Sequence, residues 1–155
     1  MKWQHPKIIK VYEALGTIAD ERLEINKNAG KSYSSSKNKF YTITYDPTFN
    51  AIMCNDNSSY FRDTLGYPAI AFLMKKGILE YNEEYGNALK GIKWKDTNQK
   101  NKNDFDKTKD QIDQMLKEKE IDLEEFHTYC EKIIEKIKSL NLNMFGKKQL
   151  PPEGY

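Results

Sequence analysis

Apolar residues recur at two different spacings along the chain, and the change from one to the other marks its elements. Ile8, Ile9, Val11, Tyr12, Leu15 and Ile18 fall at helical spacing behind Pro6, which suits a first helical turn. Residues 6–19 are therefore expected to form an amphipathic helix whose apolar face lies on a sheet. The next segments supply that sheet: Arg22 to Asn26, Lys31 to Ser36, Phe40 to Asp46 and Ala51 to Asp56. They are separated by Lys27-Asn28-Ala29-Gly30, by Asn38 and by Pro47-Thr48-Phe49-Asn50, and connections this short favour a four-stranded antiparallel meander. In the third strand Tyr41, Ile43 and Tyr45 alternate with Phe40, Thr42 and Thr44, the pattern of a strand with one buried face. The tyrosines are expected to face a helix.

After a polar loop from Asn57 to Gly66, the run Tyr67 to Gly77 has proline where a first turn tolerates it and glycine where a helix stops. It predicts a short, deeply buried helix, followed by another around Asn82 to Lys90. The Lys/Asn-rich stretch 93–103 reads as an exposed linker. Beyond it, Asp104 to Glu118 carries Phe105, Ile112, Met115 and Leu116 at helical spacing. Leu123 to Leu140 carries Phe126, Cys130, Ile133, Ile134 and Ile137, with Asp122 and Glu125 as a capping-box start. The fold class is α+β: an N-terminal helix, the meander and the buried helix form a core domain at 1–92. The linker at 93–103 leads to a C-terminal helical hairpin at 104–141, and a flexible tail occupies 142–155.

Composition narrows the function classes more than it selects one. At 155 residues the chain can bury a conventional core without metal or disulfide. The 25 basic and 23 acidic side chains leave a net charge of +2, which excludes the pronounced basicity of a dedicated nucleic-acid binder. One local excess stands out, Lys93, Lys95, Lys100 and Lys102 against Asp96, in a stretch that also holds Trp94. No apolar stretch follows Lys2, and no run approaches the roughly 18 apolar residues of a membrane span. The two cysteines, Cys54 and Cys130, lie in segments of different type. A cytoplasmic protein with free thiols is expected, without membrane association.

Familiar catalytic and metal-binding patterns are missing. Gly30-Lys31-Ser32 matches the end of a P-loop, but the first glycine of that motif falls at Ile25 and the following residues are strand-like. Structural zinc requires four N/S ligands, and the only histidines are His5 and His127, so no metal or cofactor is expected. His127 and Cys130 share a helix, but Cys130 falls on its apolar stripe. Ser34-Ser35-Ser36 has no elbow glycines, and Asp56-Asn57-Ser58-Ser59 lacks the glycine and distal glutamate of a calcium loop. The best candidate binding segment is the polar loop, where Asp56 and Asn57 can fix an orientation while Tyr60, Phe61 and Arg62 stack on or clamp a partner. The second is Lys93, Trp94, Lys95, Lys100 and Lys102, with Trp94 either a stacking aromatic or a plug against the domain.

Residues 32–77 add a resemblance: a β-hairpin, then Ile52-Met53-Cys54-Asn55-Asp56, a loop, and Gly66-Tyr67-Pro68-Ala69-Ile70-Ala71. This order is similar to the SWIM zinc-finger family, in which a strand pair precedes Cys-x-Cys and Cys-x-His opens a buried helix. An aspartate commonly follows the second cysteine by two, as Asp56 follows Cys54. The four ligand positions fall on Ile52, Cys54, Gly66 and Pro68, so a single ligand remains, and one cannot hold zinc. The resemblance implies a metal-free derivative, packed by Ile52, Ile70, Phe72 and Leu73, with a role in DNA or protein binding.

Three functions follow in order. The first is a non-catalytic interaction module that binds a protein partner or itself as a homodimer, using the Phe126, Ile133 and Ile137 face if that face is exposed. The second is a nucleic-acid binder using the Lys93–Lys102 patch with Trp94, joined by Lys37, Lys39 and Arg62. The third is an enzyme, which requires carboxylates such as Glu13, Asp56 and Asp63 to converge in one pocket with shifted pKa values.

Overall fold

Seven consecutive residues of helix α1 (Ile9–Ala19), from Val11 to Thr17, are buried, so this helix has no solvent face along its middle two turns. The structure, a computed structural model, describes residues 1–153. The chain is α+β, as its hydrophobic patterning predicts, with a five-stranded sheet. Strands β1 (Leu23–Asn26), β2 (Ala29–Tyr33), β3 (Phe40–Asp46) and β4 (Ala51–Cys54) form the antiparallel meander in chain order. The turn between β1 and β2 is tighter than expected. Asn26 pairs with Ala29, and Lys27 takes a left-handed φ of 56° to close the hairpin in two residues.

Helix α1 does not lie on the sheet. That place is taken by α3 (Tyr67–Lys75), which packs on β1, β3 and β4 and carries α1 on its other side. The tyrosines of β3 meet α3: Tyr41 is edge-on to Tyr67 with centroids 6.3 Å apart, and Tyr45 to Phe72 at 6.0 Å. Gly30 permits the close approach, since a Cβ there would lie 3.0 Å from the Phe72 ring. Pro68 opens α3, and Gly77, at φ 80°, lies just past its end.

The polar loop expected at 57–66 contains a short helix, α2 (Asn57–Arg62), which Asp63 ends in a left-handed conformation. After α4 (Glu83–Ala88), the segment read as an exposed linker forms α5 (Trp94–Lys100). Its composition gave no apolar period because one side chain, Trp94, anchors it. Helices α6 (Phe105–Glu118) and α7 (Leu123–Leu140) form the expected pair, with Asp104 and Asp122 accepting hydrogen bonds from the backbone N–H three residues on.

Phe126, Ile133 and Ile137 of α7 are buried, and Phe126 is edge-on to Tyr12 of α1 at 4.8 Å. That face is core, and it does not offer a docking surface. One hydrophobic cluster runs from Trp3 to Leu142 and takes residues from both the sheet layer and the hairpin. The hairpin is also tied by polar contacts. Tyr12 Oη donates to Asp113 Oδ1 at 2.6 Å, while Lys109 and His127 meet Oδ2 at 2.8 and 3.1 Å.

The segment read as a flexible tail begins with a fifth strand, β5 (Asn143–Met144), parallel to β4. Beside it, Trp3 N–H donates to the Leu142 carbonyl at 3.2 Å, and the Trp3 indole to the Ile52 carbonyl at 2.8 Å. Residues 154–155 of that tail lie outside the described residues. No helix among the described residues is long and apolar enough to cross a membrane.

Candidate functional site

Asp56 lies two residues past the end of β4 with an extended backbone, φ −76° and ψ 167°, and is the N-cap residue of α2. Its carboxylate turns inward, where the Ser59 hydroxyl and the Cys54 thiol donate to it. Gly66, the residue before α3, makes room for it: a Cβ at position 66 would fall 2.5 Å from Asp56 Cγ. Asp56 is 5% exposed. Burial raises its carboxyl above the ordinary range, although the hydrogen bonds pull the other way.

Glu13 stands on the adjoining wall. It occupies the turn of α1 where Thr17 Oγ1 donates to its backbone carbonyl at 2.7 Å, and its own side chain points to the interior. Lys10 Nζ lies 3.6 Å from Glu13 Oε1, which has no hydrogen-bond partner. Burial again dominates and raises the Glu13 carboxyl, against the opposing pull of Lys10 and Arg22. Arg22 is itself 2% exposed. It donates to the Tyr33 carbonyl at 2.7 Å and keeps one terminal nitrogen without a partner.

These two carboxyls line one cavity of about 490 Å³, within the range of small-molecule sites. The loop between β2 and β3 contributes Ser34, Ser35, Ser36 and Lys39, and β3 contributes Tyr41. From α2 come Asn57, Phe61 and Arg62, and from α3 comes Tyr67, whose hydroxyl is raised by burial with Tyr41 and Glu13 nearby. Helix α5 supplies Trp94, Lys95, Asn98 and Gln99, and α6 supplies Phe105. Desolvation lowers the Lys39 ammonium, and Lys95 acts in the same direction as a like charge. Asn98 Oδ1 and the Trp94 indole N–H are buried without hydrogen-bond partners. Trp94 rests beside Gly16 of α1.

Of the residues singled out from sequence, Asp56, Asn57, Phe61, Arg62, Trp94 and Lys95 come together in this cavity. Trp94 is 4% exposed, so it is a plug that seats α5 and not a platform on which a base could stack. Lys93, Lys100 and Lys102 are exposed and do not line the cavity. Tyr60 also stays outside; its ring packs edge-on against Phe61 at 4.9 Å and its carbonyl accepts from Lys148. Of the three carboxylates an enzyme would need together, Glu13 and Asp56 converge, whereas Asp63 pairs with Lys148. Lys10, Tyr41 and Tyr67 carried no functional signal in the sequence, because each belongs to an element whose periodicity reports only its packing, and Asn98 lies in a polar stretch with no period at all. A more open depression, lined by Glu80, Asp122, Glu124 and Glu125 among others, contains none of the partnerless buried polar atoms. No group of three or more potential metal-ligating side chains occurs among the described residues.

A family model described as "Uncharacterised conserved protein UCP014422" matches residues 3–143. Comparison with curated proteins and with solved structures gave no match.

Proposed function

The chain belongs to that family, and we propose that it binds a small polar ligand in the cavity between α1, α2 and α5. The observation that carries this reading is Asn98 Oδ1, a buried atom without a hydrogen bond, on the wall of the cavity that also holds the buried Glu13 carboxyl, whose only close cation, Lys10, is 3.6 Å away. A buried acceptor of this kind costs roughly 1–3 kcal/mol when it has no partner. A ligand that donates to Asn98, and to Glu13 beside it, offsets that cost, which favours the bound state over the empty one. The exposed aromatic Phe61 and the surrounding cations form the mouth through which a ligand enters.

The function is thus a binding function, with a small molecule in place of the protein partner or homodimer expected from sequence. A second reading, an enzyme, is favoured by one specific feature: burial holds two carboxyls in the same cavity toward their protonated forms, as suits a general acid.

A thermal-shift screen of polar metabolites against the wild-type chain and a Glu13→Gln, Asn98→Ala variant tests the binding reading. A ligand at 100 times its Kd adds about 2.7 kcal/mol of stability, and that shift should be absent or strongly reduced in the variant. Equal shifts in the two proteins would place the ligand elsewhere and end this reading. Turnover of a bound ligand, lost in Glu13→Gln with binding retained, would select the enzyme.

A further inference from the structure

The flat polar groups of the cavity say more about its ligand than its cations do. Lys10 is held beside Glu13 at 3.6 Å and over the Phe105 ring at 5.3 Å, and Lys39 lies over the Tyr41 ring at 5.5 Å. Lys39 and Lys95 have further interactions of their own, so neither calls for an anion. A cationic ligand fares no better, because four cations, Arg62 among them, line the same walls. A neutral ligand remains, and the other lining groups define it. Asn57, Asn98, Gln99 and Asn103 bring side-chain amides and Glu13 a carboxyl, each a planar group with two polar atoms side by side. Asn98 Oδ1 is buried without a hydrogen bond, so this amide lacks a donor. Two hydroxyls on neighbouring carbons, one donating and one accepting, match a side-chain amide atom for atom.

An apolar element stands at the rim. Phe61 lines the cavity yet is 69% exposed, and Tyr60 packs against its ring with centroids 4.9 Å apart. A large aromatic left in water beside a polar cavity gains free energy when an apolar face covers it. A sugar ring has both surfaces, hydroxyls around its edge and C–H groups across its face.

We infer that the cavity takes a neutral saccharide, with a sugar ring laid against Phe61 and its hydroxyls turned toward Asn98 and Glu13. The inference rests on the cavity reading given above and names the ligand class of that same site. A cavity of about 490 Å³ has the size of a small-molecule site and accommodates a mono- or disaccharide.

The test is calorimetric titration of the full chain with glucose, galactose, mannose, N-acetylglucosamine, maltose and cellobiose, with adenosine and glycerol as neutral comparison compounds. At least one saccharide should bind at least about tenfold more tightly than either comparison compound. Its Kd should change less than about twofold between about 50 and 500 mM NaCl, and a steep salt dependence would mean that the cations carry the binding and would overturn the inference. Phe61→Ala and Asn98→Ala should each weaken binding about tenfold or more, whereas Phe49→Ala, equally exposed at 69% but outside the cavity, should leave it unchanged. Phe61 is exposed, so its variant should melt as the wild type does and keeps the test decisive if Asn98→Ala folds poorly. Unchanged affinity in both variants would put the sugar elsewhere and refute the assignment. If no saccharide binds but adenosine or another neutral compound does, and Asn98→Ala abolishes that binding, the saccharide assignment is wrong while the cavity reading survives. If no saccharide binds and the thermal-shift screen is also blank, both fall.

Discussion

Replacing Gly66 by alanine adds a single methyl group, yet the structure makes it one of the most damaging small changes available. The new Cβ would lie 2.5 Å from Asp56 Cγ and 2.9 Å from Oδ1, closer than unbonded carbon and oxygen tolerate. Asp56 can yield only toward the cavity it lines, and doing so takes it off Ser59 and Cys54. Overpacking of this kind costs about 1–3 kcal/mol, and pushing the carboxyl off its donors costs roughly another 1–3 kcal/mol. A total near 4 kcal/mol corresponds to a fall in Tm of about 8–16 °C for a chain of this size. Urea denaturation of wild type, Gly66→Ala, Asp56→Ala and the double variant measures the effect and its cause. With Asp56 shortened the methyl group enters vacated space, so the penalty at position 66 should nearly vanish, a coupling of about 2 kcal/mol or more. A penalty that is the same within about 0.5 kcal/mol in both backgrounds would show that Gly66 is not there to seat Asp56.

Other perturbations test other parts of the structure. The Glu13 carboxyl is raised from its ordinary 4.5, so the folded state holds its proton more tightly than the unfolded state. The associated stability is fully present below that value and is lost as pH rises through the folded pKa. The Tm of Glu13→Gln relative to wild type should therefore climb as pH rises above 4.5, and a flat or falling difference contradicts the assignment. Asp113→Ala removes the acceptor of Tyr12, Lys109 and His127 and strands a buried tyrosine hydroxyl. It should cost about 2–4 kcal/mol and raise amide exchange in α6 more than in α3, which uniform exchange would disprove. Burial pushes the Cys54 and Cys130 thiols up, so neither should be alkylated in the folded protein at pH 8, and both should label in urea. Rapid native labelling of either would mean its segment opens.

Most of the helices that sequence made legible owe their stability to an apolar stripe: α1, α3, α6 and α7. Helix α2 was hidden because Asn57, Ser58 and Ser59 are weak helix formers; the fold holds it through Ser59 and Asp56 and not through propensity. Helix α5 was hidden for a related reason, since its Lys/Asn-rich surface surrounds one buried residue, Trp94, and one residue makes no period. Strand β5 is two residues long, too short to alternate. The candidate site was half visible. Local clusters such as Asn57 to Arg62 announce themselves, but Lys10, Glu13, Lys39 and Asn98 become neighbours only after α1 is swallowed by the core. Glu13 was named only as one member of a carboxylate set, and its position on a helix with no wet face is what brings it to the cavity.

The fifth strand sets an order for assembly. The four residues of β4 are all buried in the finished sheet, and their outer edge is covered by the Trp3 indole and by Asn143 to Phe145, of which the latter leave the ribosome long after β4 does. Until then Ala51 to Cys54 form an apolar edge with unpaired backbone groups, the kind of template that recruits any extended strand within reach. A nascent or truncated chain ending before Leu142 would carry its helices and most of its sheet, and with them an adhesive flank. The short strand near the end of the matched family segment thereby acts as a closure, and resistance to edge-to-edge association arrives well after the rest of the sheet has been made.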